Sequence, residues 1–319
     1  MSVFVDLSGT GIGAQRQYAL LRQARPKLFA RSEGASDHVI YWQCFTRNWE
    51  LLEARKRQGK KIIVRVGGFH SQNEETTRRL LKEADAAIFV CEWLKEHLKD
   101  LSWRLPAKRT VIRNGSTWVG WRESDVDYLL IRCAQIGAVE FRRGLNRAYS
   151  VWAMAQIWDE LRDRYPSLNL LLIGKYKRKT KAEYALPGWK WLGFDSNSRW
   201  YGQGAIALVH LVPGDYSPNS VAEAIGEGCP IIVPSVGGAH ELAGDAGATV
   251  GFGRTEKRRF PEAECGGHFY QIDKKSLLEA VCDVIDNRLQ WRIRVGNWWE
   301  KTVNIQRVAD RWEKFLDWV

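Results

Sequence analysis

One stretch of the 319-residue chain restricts its fold more than any other: Val212-Pro-Gly-Asp-Tyr-Ser-Pro-Asn-Ser-Val-Ala-Glu-Ala-Ile-Gly-Glu-Gly-Cys-Pro-Ile-Ile-Val-Pro-Ser-Val-Gly-Gly-Ala-His-Glu-Leu242. It reads as a loop ending in Pro218-Asn219, a short helix over Ser220 to Glu227, a turn at Gly228 and a buried strand from Pro230 to Pro234. Pro218 suits a first helical turn because it has no N–H to lose there, and the N–H groups of such a turn carry partial positive charge. A terminus of this kind can hold a diphosphate. Asp215 lies just before the helix and Glu223 about one turn inside it, so a carboxylate on each side could take hydroxyls of a ribose and a sugar. The same residues also suit an ordinary helix start, with Asp215 near the dipole and Glu223 in solvent.

The rest of the chain alternates apolar runs with helical patterns, which implies parallel sheets with ligands at the carboxyl ends of their strands. Val3 to Leu7 is followed by Ser8-Gly-Thr-Gly-Ile-Gly13 and a helical pattern from Ala14 to Leu21. Glycines there let the backbone approach an anion, although the spacing at 9, 11 and 13 is not the dinucleotide fingerprint. His38 to Trp42, a helix around Asn48 to Gln58, and Lys61 to Val66 ending in Gly67-Gly68-Phe69-His70 come next. His70, at a strand end, could contact an acceptor or a donor phosphate, or simply be solvated. Ala84 to Leu98 is another strand feeding a helix, and Arg109 to Ser116 a short strand closed by Asn114-Gly115, a pair suited to a turn of positive φ. Beyond it Trp118 to Asp127 reads as a linker; its Asp125-Val-Asp127 is not taken as a metal site, since no third ligand is in view. Tyr128 to Cys133 is a strand leading by way of Arg142-Arg143-Gly144 into one long helix reaching about Arg164. Leu170 to Ile173 is an apolar strand ending at Gly174, and Lys175 to Lys181 holds five cations in seven residues, a phosphate-backbone contact or a solvated loop.

Pro218-Asn219, Glu223-Ala224, Gly228, Pro230, Gly237-Gly238 and Glu241 make the opening stretch similar to the donor-binding segment of GT-B fold retaining glycosyltransferases of family four. Asp215 stands where that pattern has its first Glu, and Arg143-Gly144 where it has Lys-Gly; its earlier Arg has no counterpart among Ala134, Gln135, Gly137 and Ala138. The resemblance implies an α/β protein of two Rossmann-like domains whose parallel sheets face across a cleft: residues 1–118 on the acceptor side, 119–295 on the nucleotide-sugar side, and 296–319 as a helix crossing back. It implies a donor site of Gly11, Gly13, Arg143, Gly174, Phe194, Ser217, Pro218, Asn219, Ser220 and Glu223. Asp215, Glu223 and His70 are the implied catalytic residues. No metal is implied at the reacting centre and no cofactor, the UDP- or GDP-linked sugar being a co-substrate. A catalytically inactive GT-B module that binds a nucleotide sugar or nucleic acid is the alternative, motivated by Asp215 and the absent Arg.

Composition bears on partners and compartment. Residues 1–120 carry 21 Lys and Arg against 12 Asp and Glu, so +9 of the net +11 lies in the first domain. Such a bias favours an anionic acceptor, either a lipid or saccharide at a membrane surface or a modified base in nucleic acid, which would be flipped from its stack. No apolar run reaches the ~18 residues needed to span a bilayer, and the N-terminus lacks a basic region followed by an apolar signal core. The expectation is a cytoplasmic protein, peripheral at the membrane if its acceptor is a lipid. Six scattered cysteines read as reduced core thiols, and most of the 16 tryptophans as packing residues.

Overall fold

The computed structural model describes residues 3–7, 10, 12–30, 32–36, 38–42, 49–68, 74–136, 149–176, 178–195, 198–212, 215–255 and 269–319. The chain divides into two compact units, residues 1–116 with 302–319 and residues 117–301.

The first unit alternates β1 (Val3–Asp6), α1 (Ile12–Ala24), β2 (His38–Trp42), α2 (Trp49–Arg57), β3 (Lys61–Val66), α3 (Glu74–Glu83), β4 (Ala86–Phe89), α4 (Glu92–Asp100) and β5 (Lys108–Val111). The five strands form one parallel sheet in simple chain order, β1 to β5. β2 and β4 are buried along their whole length, the pattern of strands covered on both faces. The helix-start signals are local: the Cys91 thiol accepts from Leu94 N at the head of α4.

The second unit contains β6 (Tyr128–Ile136), α5 (Tyr149–Ala155), α6 (Trp158–Arg164), β7 (Asn169–Tyr176), α7 (Arg178–Glu183), β8 (Trp189–Gly193), α8 (Ser198–Gly204), β9 (Ala207–Val209), α9 (Asn219–Gly226), β10 (Ile231–Pro234), α10 (Gly238–Ala243) and β11 (Gly247–Val250). A short antiparallel pair, β12 (Phe252–Thr255) with β13 (Phe269–Ile272), precedes α11 (Lys274–Asp286) and α12 (Arg288–Trp298). The main sheet is parallel and ordered β11-β10-β9-β6-β7-β8. The chain therefore builds outward from β6 to β8, returns to the other side of β6, and builds outward again to β11. The reversal puts a topological switch point between β6 and β9, where the loops leaving two neighbouring strands diverge and open a crevice.

After a π turn at Trp299–Val303, the chain ends in α13 (Ile305–Trp318), opened by Asn304 accepting from Gln306 N. This helix belongs to the first unit: Ile305, Val308, Trp312 and Leu316 are buried with Val3, Ile40, Trp42 and Ile63, and Trp312 stacks on Trp42 at 5.1 Å between centroids.

Three local expectations are corrected. The long helix expected to reach Arg164 is two helices, broken at Gln156-Ile157, where Ile157 leaves helical geometry. The break leaves both Ile157 and Trp158 in the core, with Trp158 Nε1 donating to Pro187 O. Gly174 does not end its strand, which continues to Tyr176 past register shifts on both neighbours. Gly115 does not have positive φ. It is needed for closeness, because a Cβ there would lie 2.9 Å from Ile305 Cδ1 and 3.2 Å from Val303 O, where the chain enters α13.

Candidate functional site

The switch point of the second unit collects most of the describable site residues. His210 and Leu211 follow β9, and the chain passes through Asp215, Tyr216 and Ser217 to Pro218, which caps α9 with an extended backbone (φ −66°, ψ 125°). Pro218 is the cap and Asn219 the first helical residue, so α9 begins one position earlier than the pattern suggested. Pro218 O receives Val221 N at 3.1 Å and Ala222 N at 3.2 Å, which starts the helix. The Pro218 side chain makes no capping hydrogen bond, and the N–H groups of this turn project along the axis with the positive end of the helix dipole.

The loop before α9 is fixed on two sides. Asp215 O accepts from Ala239 N at 3.0 Å, joining it to the first turn of α10. That turn follows Gly237, whose φ of 86° only glycine adopts without strain, which is the physical content of the Gly237-Gly238 pair. Asp215 Oδ2 lies 3.3 Å from Nε2 of His210, a distance suited to an ion pair though not aligned as a hydrogen bond. His210 is itself buried just past β9, its amide donating to Ile232 O.

Beneath the other flank of α9 lies a pair that sequence reading did not single out. Arg132, on β6, places one terminal nitrogen 2.9 Å from both carboxylate oxygens of Glu227 and donates from the other to Ser220 O at 3.1 Å. Arg132 and Glu227 are 7% and 1% exposed, so the ion pair lies in the interior. Burial pushes the Glu227 carboxyl up to about 7, against the opposing pull of Arg132. Glu223, half-buried one turn before Glu227, raises it further by like-charge repulsion. Gly202 of α8 makes room, since any Cβ there would collide with the Glu227 carboxylate. The signal was present: a cation inside the apolar run from Tyr128 to Cys133, and an acid between Ile225 and Cys229, each require a partner once buried.

Of the other expected residues, Ser217, Asn219, Ser220 and Glu223 are half-buried and Pro218 is buried, all on one continuous segment. Gly174 lies inside β7. Phe194, just past β8, is 68% exposed with Lys175 Nζ 6.0 Å from its ring centroid. Gly13 lies in the first turn of α1 in the other unit. Gly11, His70, Arg142 and Arg143 lie outside the described residues. In the same unit as Gly13, Asp6 at the end of β1 is bound by Arg55, which also donates to both oxygens of Glu33 at 2.8 Å and to the Tyr41 hydroxyl at 2.7 Å. The basic run is the end of β7 and the start of α7, with Lys175, Arg178 and Lys181 exposed. Asp127 is engaged by Arg288 at 2.9 Å, and among the described residues no group of three or more acidic, His or Cys side chains could hold a metal. Among the same residues no helix is long and apolar enough to cross a membrane.

No protein-family model matches the chain, and no curated protein matches it in sequence. Its fold has many solved counterparts. HepE from Anabaena, solved with UDP, superposes with a TM-score of 0.71 at 12% identity over 100% of both chains. A glycosyltransferase from Rickettsia africae gives 0.63 at 13% identity, over 99% of this chain and 97% of that one. Sucrose-phosphate synthase from Thermosynechococcus elongatus gives 0.61 at 16%, over 88% of this chain and 72% of that one. The fold is that of the GT-B glycosyltransferases, with two parallel α/β sheets in one chain. At these identities the likeness establishes the architecture and leaves the chemistry to the residues.

Proposed function

We propose that the protein transfers a hexose-type sugar from a UDP- or GDP-linked donor to an anionic acceptor, with retention at the anomeric carbon. The observation that carries this reading is α9: an eight-residue helix whose start lies at a topological switch point, flanked by Asp215 before it and Glu223 within it. In this role the first turn of α9 neutralises the leaving diphosphate, with Arg143 as its cationic partner. Glu223 holds the ribose hydroxyls. Asp215, steadied by His210, accepts from a hydroxyl of the sugar, and the shorter reach of Asp against Glu is offset by the tie of its carbonyl to α10. His70 serves the acceptor. The UDP complex of HepE, a protein of the same fold, agrees with a uridine donor. The surplus of nine positive charges in residues 1–120 suits an acceptor that is a lipid or saccharide at a membrane surface, or a modified base.

Incubation with a panel of UDP- and GDP-sugars tests the reading. At least one donor is expected to release nucleoside diphosphate, at a rate falling about 100-fold in Arg143→Ala and in Glu223→Ala. Folded protein that neither binds nor turns over any donor overturns it. Binding without release across lipid, saccharide and nucleic-acid acceptors selects the inactive binding module instead.

A further inference from the structure

The second unit carries an arginine with no counter-charge among the described residues. Arg292, on the inward side of α12, is 8% exposed, yet among the described residues it has no hydrogen-bond acceptor and no ion-pair partner. Its guanidinium lies 4.3 Å from the ring centroid of Trp121, and its Nε is shut away from water without an acceptor. Burial and the neighbouring Arg288 both disfavour its charge; exposed Glu123 acts on it from beyond ion-pair distance. A buried guanidinium in this condition is costly, and a hydrophobic side chain of similar volume would serve the isolated fold better.

The surroundings are equally unusual. Of the twelve large hydrophobic side chains exposed among the described residues, seven lie on linker 117–127, α8 or α12. They include Trp118, Trp121, Trp200, Leu289 and Ile293. The linker ties these elements together: Arg122 N donates to Gln203 O of α8, its guanidinium lies over Trp200, and Trp118 packs against Gly296 of α12. Tryptophan and arginine concentrated on one apolar face are the composition of a protein-binding surface, where a few such residues carry most of the affinity.

We propose that this face of the second unit docks a protein partner that presents an acidic side chain among apolar ones, with the acid completing Arg292. The burial of Arg292 selects this occupant. A guanidinium only 8% exposed suits a single carboxylate carried on a slender side chain, whereas the phosphates of a bilayer or a nucleic acid are displayed on a broad surface. The aliphatic Leu289 and Ile293 fit apolar side chains and offer nothing to a sugar–phosphate backbone.

Short random peptides displayed on phage, sorted on the full-length protein and counter-sorted against Arg292→Met, test the proposal. Enriched peptides are expected to share an Asp or Glu beside apolar residues. Their affinity is expected to fall about tenfold or more in Arg292→Met and in Ile293→Ser. Arg292→Met is also expected to melt no lower than the wild type, which separates lost docking from lost folding. Absence of enrichment, enriched peptides without an acid, or equal affinity for Arg292→Met overturns the proposal. So does a lowered melting temperature shared by Arg292→Met and Glu123→Gln, which makes Glu123 the partner. Binding to phosphatidylserine vesicles or single-stranded oligonucleotide that is lost in Arg292→Met also overturns it, assigning the face to a membrane or a nucleic acid.

Discussion

Two buried arginines show how burial decides what an ion pair does. Arg132 with Glu227 sits in the interior, so desolvation dominates and the Glu227 carboxyl is pushed up to about 7 from its usual 4.5. Glu33, partly exposed, is lowered instead by its hydrogen bonds from Arg55. The two pairs therefore have opposite pH signatures. Between about 4.5 and 7 the folded state holds a proton on Glu227 that the unfolded chain has released, so this group lowers stability as pH rises through that window. Glu33 contributes stability above its unfolded value of 4.5, and loses it as pH falls through its lower folded value. Urea midpoints across pH should show wild type losing ground to Glu227→Gln on going from pH 5 to 7 (roughly the window set by that shift), and losing its advantage over Glu33→Gln only in acid. A parallel slope for both variants would contradict this. Glu227→Ala, which strands Arg132, should cost about 3–5 kcal/mol in urea unfolding, and Arg132→Met with Glu227→Leu together should cost less than that single change. Which charges mattered was only half legible beforehand. A cation in an apolar run announces that it needs a partner, but the partner lies 95 residues away and only the folded sheet brings them together.

At the scale of elements, local chemistry wrote most of the strands and helices in advance, and tertiary demands wrote the exceptions. The strands at His38–Trp42 and Lys61–Val66 match their apolar runs end to end, because continuous apolar stretches have one economical fate between two layers of helices. The helix after β6 broke where core packing claimed Ile157 and Trp158 together, a competition that helical periodicity alone does not express. The donor-type segment was legible for a different reason: its proline, glycines and acids are local devices acting within a few residues of one another. Gly115 is the instructive exception. Its pairing with Asn114 suggested a turn, yet its role is to let α13 approach, and the contact joins segments far apart in the chain. Gly115→Ala should therefore cost about 1–3 kcal/mol by overpacking against Ile305 and Val308. Gly34→Ala, where nothing lies within 4 Å, should be close to neutral in the same urea titration. Equal effects at the two sites would return Gly115 to an ordinary turn.

For the whole molecule, alternation of strand and helix made two parallel sheets foreseeable, whereas strand order did not follow from it. Pairings such as β6 with β9 join distant segments, and the resulting switch point is what separates the second unit, with its candidate donor site, from the first, whose strands run in plain chain order. The same non-local logic governs how the units fold. Residues 117–301 are continuous, but the first unit is completed by the last 18 residues of the chain, 302–319. Six α13 residues, Ile305, Val308, Ala309, Trp312, Phe315 and Leu316, are buried in its core. At about 1.5–3 kcal/mol for each large side chain, their burial contributes roughly 10 kcal/mol. That rivals the entire stability of an ordinary domain, about 5–15 kcal/mol. A fragment of residues 117–301 is therefore expected to melt cooperatively, whereas residues 1–116 alone are not. Adding 302–319 as a peptide to that second fragment should restore a transition whose midpoint rises with peptide concentration, as linkage requires. If residues 1–116 melt cooperatively unaided, Trp312 stacked on Trp42 is only a lid on a finished core; if they do not, the core of the first unit cannot be completed until α13 is available.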